Sequence, residues 1–208
     1  MELRIIPDAV LIVRVPVFVS NADIEKIISK HSKWIEKNLK IAEERNSEIP
    51  EKKFISGEKF LYLGKYYTLE IVNSQVEPLR FDGGFFLSEK AVPNAKQEFA
   101  KWYKKSAFEI LSRRVRYFSE ISGLSFNKVG ITNAQKRWGS CSRKKNLNFS
   151  YRLVMAPLPV IDYVVVHELA HTVQMNHSKK FWKIVGDILP DFAEKRKWLK
   201  ENGYKLKI

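Results

Sequence analysis

Cysteine is almost absent from this chain of 208 residues: Cys141 stands alone, so no disulfide can form within it, which excludes the small cross-linked scaffolds. Nine glycines and eight prolines are too few for a collagen-like or linker-dominated chain. Apolar runs are short. The longest, such as Val10–Val13 and Val164–Val166, fall far below the roughly 20 residues a membrane-spanning helix needs, so no membrane partner is expected. No leader-like stretch is visible, and with a single cysteine the expected compartment is the reducing cytoplasm. Acidic residues are scarce in one half only. Residues 1–90 carry 14 basic and 14 acidic side chains, whereas residues 91–208 carry 23 and 9, so the whole net charge of +14 belongs to the second half. Such an imbalance points to an anionic partner for that half, with DNA or another nucleic acid first, or else to a solvated lysine surface.

What the chain has in quantity is core-forming material. Hydrophobic residues make up 45% and include 13 Phe, 8 Tyr and 5 Trp, a composition that folds rather than staying disordered. Leu3–Ile6 and Val10–Val15 read as strands around a turn at Pro7-Asp8. Ser20 is placed to cap a helix on which Ile24, Ile27, Ile28, Ile35 and Leu39 recur through about Ala42, and the polar stretch Glu43–Lys53 reads as a connector. Two hairpins are expected next, turning at Gly64-Lys65 and at Asp82-Gly83-Gly84. A long amphipathic helix follows from about Pro93 to just before Gly123. Lys128–Ala134 and Leu147–Met155 are strand-like, and the basic stretch Gln135–Asn146 joins them. Three more helices are expected over Val160–Met175, from Ser178 to Leu189, and over Asp191–Asn202. The reading is an α+β chain with a β-rich region at 1–90 and a more helical one at 91–208.

Three of the four histidines fall within eleven residues. His167-Glu168-Leu169-Ala170-His171 is an HExxH sequence inside an expected helix, where a spacing of four places both imidazoles on one face within reach of one Zn²⁺. With this composition, random placement would produce the motif only about 0.006 times per chain. A catalytic zinc needs a third ligand and an open position. His177 is the first candidate, because it follows Asn176, a residue type that tolerates the left-handed conformation with which helices end. Asp187, Asp191 and Glu194 are the carboxylate alternatives. Glu168, beside a ligand, is placed to take the proton of a metal-activated water. Candidates for the substrate rim or for stabilising an oxyanion are Arg137, Tyr151, Tyr163 and Trp138, with Tyr163 on the face of His167. Trp138 among Lys136, Arg137, Arg143, Lys144 and Lys145 could stack on a nucleic-acid base, or pack inward over a tight turn at Gly139. A cysteine-nucleophile reading of Cys141 would need a histidine base, and all three nearby candidates are better explained as metal ligands.

The run Val165-Val166-His167-Glu168-Leu169-Ala170-His171, continued by Asn176-His177-Ser178 and Phe181-Trp182, resembles the YgjP-like metallopeptidases. Lys136-Arg137-Trp138-Gly139-Ser140-Cys141-Ser142, Tyr62-Leu63-Gly64-Lys65 and Val13-Arg14-Val15-Pro16 extend the resemblance over nearly the whole chain. The HExxH-x5-H spacing is similar to that of the WLM family and related to that of the SprT family, proteases that act on DNA–protein crosslinks. Metzincins share the ligand spacing but have Gly where this chain has Gln174, and no Met-turn is recognisable. The resemblance implies a zincin-like region at 91–208, with a small sheet and an active-site helix. It also implies zinc on His167, His171 and His177, Glu168 as catalytic base, and a protein or peptide substrate. Two other readings compete: a nucleic-acid-binding module with a structural or vestigial zinc site, and a zinc hydrolase acting on non-peptide amides.

Overall fold

The computed structural model describes residues 2–6, 9–48 and 50–208, so the expected turn at Pro7-Asp8 lies outside the described residues. The chain forms two compact units, 1–51 and 52–208. The charge break at Lys90 falls inside the second.

In the first unit, β1 (Glu2–Ile6) and β2 (Val10–Arg14) pair antiparallel, and two helices follow. The single helix expected here is broken into α1 (Asn21–Lys30) and α2 (Ser32–Ser47), with His31 at the joint out of helical conformation. Ser20 caps α1 as expected, its hydroxyl oxygen accepting from the Asp23 N–H at 3.2 Å. Helix α2 runs through residues read as connector. Ala42-Glu43-Glu44-Arg45 lacks an apolar stripe yet consists of strong helix formers, and propensity carries the helix on.

The second unit is an α+β assembly around one long helix, α3 (Ala95–Ser122), which Gly123 closes in the left-handed conformation at φ +71°. Before it lies a four-stranded sheet of β3 (Lys59–Tyr62), β4 (Lys65–Val72), β5 (Leu79–Phe81) and β6 (Phe85–Ser88). Its order is β3-β4-β6-β5, so the two expected hairpins are joined by a parallel β4–β6 pair. Phe60, Phe85, Phe99 and Tyr103 are fully buried between this sheet and the first half of α3. The Tyr103 hydroxyl donates to the Leu61 carbonyl at 2.6 Å.

A second sheet, ordered β7-β9-β8, contains β7 (Lys128–Thr132), β8 (Gly139–Cys141) and β9 (Asn146–Ser150). Strand β8 lies within the stretch read as a basic loop. Three residues are too few to show a period, so the pattern could not reveal it. The remaining basic residues surround a tight turn in which Lys145 N–H donates to Ser142 O at 2.8 Å, and Lys145 itself is left-handed at φ +56°.

Helix α4 (Leu158–Ala170) runs through the interior, with Val160–Val166, Leu169 and Ala170 buried. It is held from two directions. Asp162 takes a bidentate pair from Arg114 of α3, at 2.5 and 2.7 Å, although burial still pushes its carboxyl above the usual range. At its start the β3–β4 turn docks on the preceding residues. Leu63 (φ +49°) and Gly64 (φ +79°) donate their N–H groups to the carbonyls of Val154 and Met155, at 2.8 and 3.0 Å. Helices α5 (Lys179–Ile188) and α6 (Phe192–Asn202) complete the unit.

Candidate metal centre

Helix α4 ends at Ala170, earlier than expected, so His167 occupies its last turn and His171 is the residue that closes it. The spacing of four survives, and the two imidazoles share a face with ring centroids 4.9 Å apart. The chain then turns sharply: Thr172 and Gln174 donate their N–H groups to Leu169 O and Ala170 O, at 2.9 and 3.0 Å. Asn176 has no left-handed backbone, contrary to expectation, and organises the turn through its side chain instead. Its Oδ1 accepts from Gln174 Nε2 at 2.6 Å and from Ser178 N–H at 3.3 Å. This returns His177 to the other two histidines.

One ring nitrogen from each of His167, His171 and His177 lies within 4.8 Å of the others. The expected carboxylate alternatives are engaged elsewhere, Asp187 by Lys183 and both Asp191 and Glu194 by Lys195. His167 and His171 are half-buried and His177 is exposed, so the cluster opens to solvent on one side. Phe181, fully buried, forms its floor, with ring centroids 4.9, 4.5 and 4.8 Å from those of His167, His171 and His177.

These residues fit a metal ion on three counts. His177 Nε2 and His167 Nε2 stand 3.1 Å apart, close to the separation of about 3.3 Å that two imidazoles take on a tetrahedral ion at roughly 2.0–2.1 Å. The His171 Nδ1–H can donate to Gln174 O at 3.0 Å, which leaves Nε2 unprotonated for a ligand. Burial first, then His171, His177 and Arg196, pull the His167 imidazole down to about 3, so it is neutral and ready to ligate. Its buried Nδ1 has no hydrogen-bond partner.

Glu168 lies beside this cluster and is 5% exposed. Burial pushes its carboxyl up to about 8, against a smaller downward pull from Arg137. A dication at the histidines would add a second downward pull. Strand β8 presses directly on it: a methyl group at Gly139 would stand 2.6 Å from Glu168 Oε1.

The remaining expected residues are spread around this centre. Tyr163 is buried, with its ring 5.9 Å from that of His167. Arg137 is exposed on the loop before β8. Trp138 is half-buried, with the Arg152 guanidinium 5.5 Å above its ring and Gly203 against it, which is the inward packing and not an open stacking platform. Tyr151 packs towards Tyr103 of α3, with ring centroids 6.4 Å apart. Two features escaped the sequence reading. Arg152 binds the carbonyl of Gln135 at 2.8 Å and so fastens the loop before β8, and Arg196 of α6 lies over Trp182 at 4.8 Å. Neither sits in a spacing pattern that would single it out.

The solved crystal structure of the metallopeptidase zymogen of Pyrococcus abyssi abylysin is similar at 21% identity over 43% of this chain and 93% of that one, with a TM-score of 0.39. No curated protein matches the sequence. The sequence model of the YgjP-like, metallopeptidase domain matches residues 1–202, nearly the full length, and covers the histidine cluster, Glu168 and β8 alike. With a site of that composition inside the matched region, the chain belongs to the YgjP-like metallopeptidase family.

Proposed function

We propose that this protein is a zinc-dependent peptidase in which His167, His171 and His177 hold the metal and Glu168 is the general base. The observation that carries the reading is the convergence of three imidazole nitrogens within 4.8 Å beside a buried carboxylate. Three imidazoles suit zinc, and three protein ligands leave the open coordination position of a catalytic site, whereas structural zinc sites are closed by four. Zinc bound there would supply Lewis acidity toward the carbonyl oxygen and lower the pKa of its water. Glu168 takes a proton from the attacking water as the new C–O bond forms. It then delivers that proton to the amide nitrogen as the C–N bond breaks, leaving a carboxylic acid and an amine. Strand β8 is an edge strand beside Glu168, and an edge accepts an extended peptide through backbone hydrogen bonds. Tyr163, whose ring lies 5.9 Å from that of His167, and Arg137, on the loop before β8, are the candidates to meet the substrate's polar atoms, and the cytoplasm is the proposed place of action.

The test is cleavage of an unfolded basic protein by zinc-loaded chain, with Glu168→Gln as the blank. The variant is expected to keep a full equivalent of zinc while kcat falls by about 10²–10⁴-fold. Full activity in the variant would remove Glu168 from the base role. A second arm adds single-stranded DNA, because residues 91–208 carry the whole excess of positive charge. If that surface recruits substrates on nucleic acid, DNA stimulates cleavage and the stimulation fades steeply with salt. Hydrolysis of small amides without any peptide cleavage would favour the non-peptide reading.

A further inference from the structure

We propose that Arg152 is a positioning residue for the reaction: it fastens the loop Ala134–Trp138 and thereby holds strand β8 against Glu168, so that the carboxylate keeps one orientation. The inference rests on the peptidase reading above and names the residue that keeps its general base in place.

Arg152 belongs to the short 3-10 turn Tyr151–Met155 that leads from β9 toward α4. From there its Nη2 donates to the carbonyls of Gln135 and Ala134, at 2.8 and 3.4 Å, and its guanidinium lies over the Trp138 ring, 5.5 Å from the centroid. Ser150, two positions earlier, donates its hydroxyl to Ala134 O and its N–H to Trp138 O, both at 2.8 Å. One segment therefore holds the loop at its start and at its end. Strand β8 begins at the next residue. It pairs antiparallel with β9 from Gly139↔Phe149 onward, and Gly139 is the residue that stands against Glu168. Trp138 is crowded from a second direction by Gly203, at the end of α6, where a methyl group would stand 2.9 Å from Trp138 Cζ2.

These contacts do little for the fold as such. If Arg152 were removed, Ala134 O would keep its bond from Ser150, and Gln135 is exposed, so water can satisfy its carbonyl. Among the described residues no carboxylate pairs with Arg152, and its Nε is buried without a hydrogen-bond partner. A partly buried cation of this kind is a poor source of stability. What the guanidinium does well is grip the loop, because a planar group can donate along its edge while it lies over an indole. Its loss should loosen the loop and β8 without unfolding the chain.

Strand β8 needs such a grip. It is only three residues long and lies at the edge of its sheet, so pairing with β9 gives it few hydrogen bonds and its place depends on what holds its entry. Glu168, for its part, must reach first the attacking water and then the amide nitrogen, and each proton transfer works only within hydrogen-bond reach. With Gly139 pressed on it, the carboxylate has no room to turn toward β8. A strand that drifts away by about an ångström returns that freedom, and misplacement on this scale can cost about 100-fold in rate.

The experiment compares Arg152→Ala, Arg152→Lys and Gly203→Ala in the zinc-loaded full chain by three readouts: kcat and KM on an uncharged peptide, melting temperature, and deuterium exchange of the amides of residues 135–141. For Arg152→Ala, kcat is expected to fall by about 10–100-fold while KM changes far less. The amides of 135–141 should exchange faster while those of α3 stay protected and the melting temperature stays close to that of the unmodified chain. Arg152→Lys should recover little, because lysine restores the charge without the planar fork. Gly203→Ala, which crowds Trp138 from α6, should lower kcat in the same way. Unchanged kcat and unchanged exchange in Arg152→Ala would overturn the proposal. So would full recovery by lysine, since charge and not placement would then be what counts, and so would protection lost throughout the chain, which would assign Arg152 to the fold. Should the unmodified chain fail to cleave peptides, the peptidase reading falls, and exchange at 135–141 still decides whether Arg152 holds β8.

Discussion

Gly139 is the smallest residue at the site and the one with the least room to change. A β-carbon there would stand 2.6 Å from both Cγ and Oε1 of Glu168, and the carboxylate, enclosed on its other sides, would have to swing away. Gly139→Ala is therefore expected to leave the melting temperature and zinc content close to those of the unmodified chain while kcat/KM falls by about 100-fold, the usual result of displacing a reacting group by an ångström. Steady-state kinetics alongside metal analysis would check this, and unaltered turnover would show that Glu168 has more freedom than its packing indicates. The pairing of His167 with His171, and Glu168 beside them, was legible from sequence because it is written in helical spacing, whereas His177 joins them only through the turn after α4. Gly139 was not legible. It meets the site through a contact distant in sequence, about 30 positions from Glu168, and spacing arguments see only neighbours along one element.

At the scale of elements, α4 is the axis of the site, and the β3–β4 turn sets where it begins. Gly64 is left-handed at φ +79°, and a side chain there would meet Pro157 Cγ at 2.8 Å and Pro157 Cα at 2.9 Å. Both objections apply to Gly64→Ala, which is expected to destabilise the chain by about 1–3 kcal/mol. Thermal or urea unfolding would measure it, and a neutral result would mean that the turn can leave α4 without cost. Helix ends were readable where a side chain or glycine marks them, as at Ser20 and Gly123. The break at His31 was hidden because isoleucines continue the helical period across it, and α2 outran its apolar stripe because propensity alone sustained it. The parallel pairing of β4 with β6 was equally hidden, since each strand's own pattern is the same whichever neighbour it takes.

For the whole molecule, the α+β class followed from the mixture of strand and helix periods, and the structure bears it out. Composition told less about division. The change in charge at Lys90 falls within unit 52–208, where the sheet of β3–β6 shares one hydrophobic core with α3 and α4. Charge is a surface property, whereas a compact unit is defined by what its interior buries, and the two need not change at the same residue. No helix among the described residues is long and apolar enough to cross a membrane, in keeping with the short apolar runs of the sequence.

The three histidines proposed to hold the metal come from the single segment 167–177, and this locality would govern how the molecule responds to chelation. An ion bound there ties together a short loop, and by chain statistics such closure restricts the unfolded ensemble far less than a link between distant segments. Folding and metal capture are therefore expected to be separable in this protein, unlike in small domains that collapse without their ion. Stripping the metal should free the amides of residues 171–178 to exchange with deuterium, while those of α3 and the buried body of α4 stay protected. Hydrogen exchange followed by mass spectrometry, with and without chelator, reads the difference directly. If α3 lost protection together with the ligand loop, the ion would instead be a keystone of the global fold. With exchange confined to the loop, the chain can wait folded and empty, and acquire its activity when metal arrives.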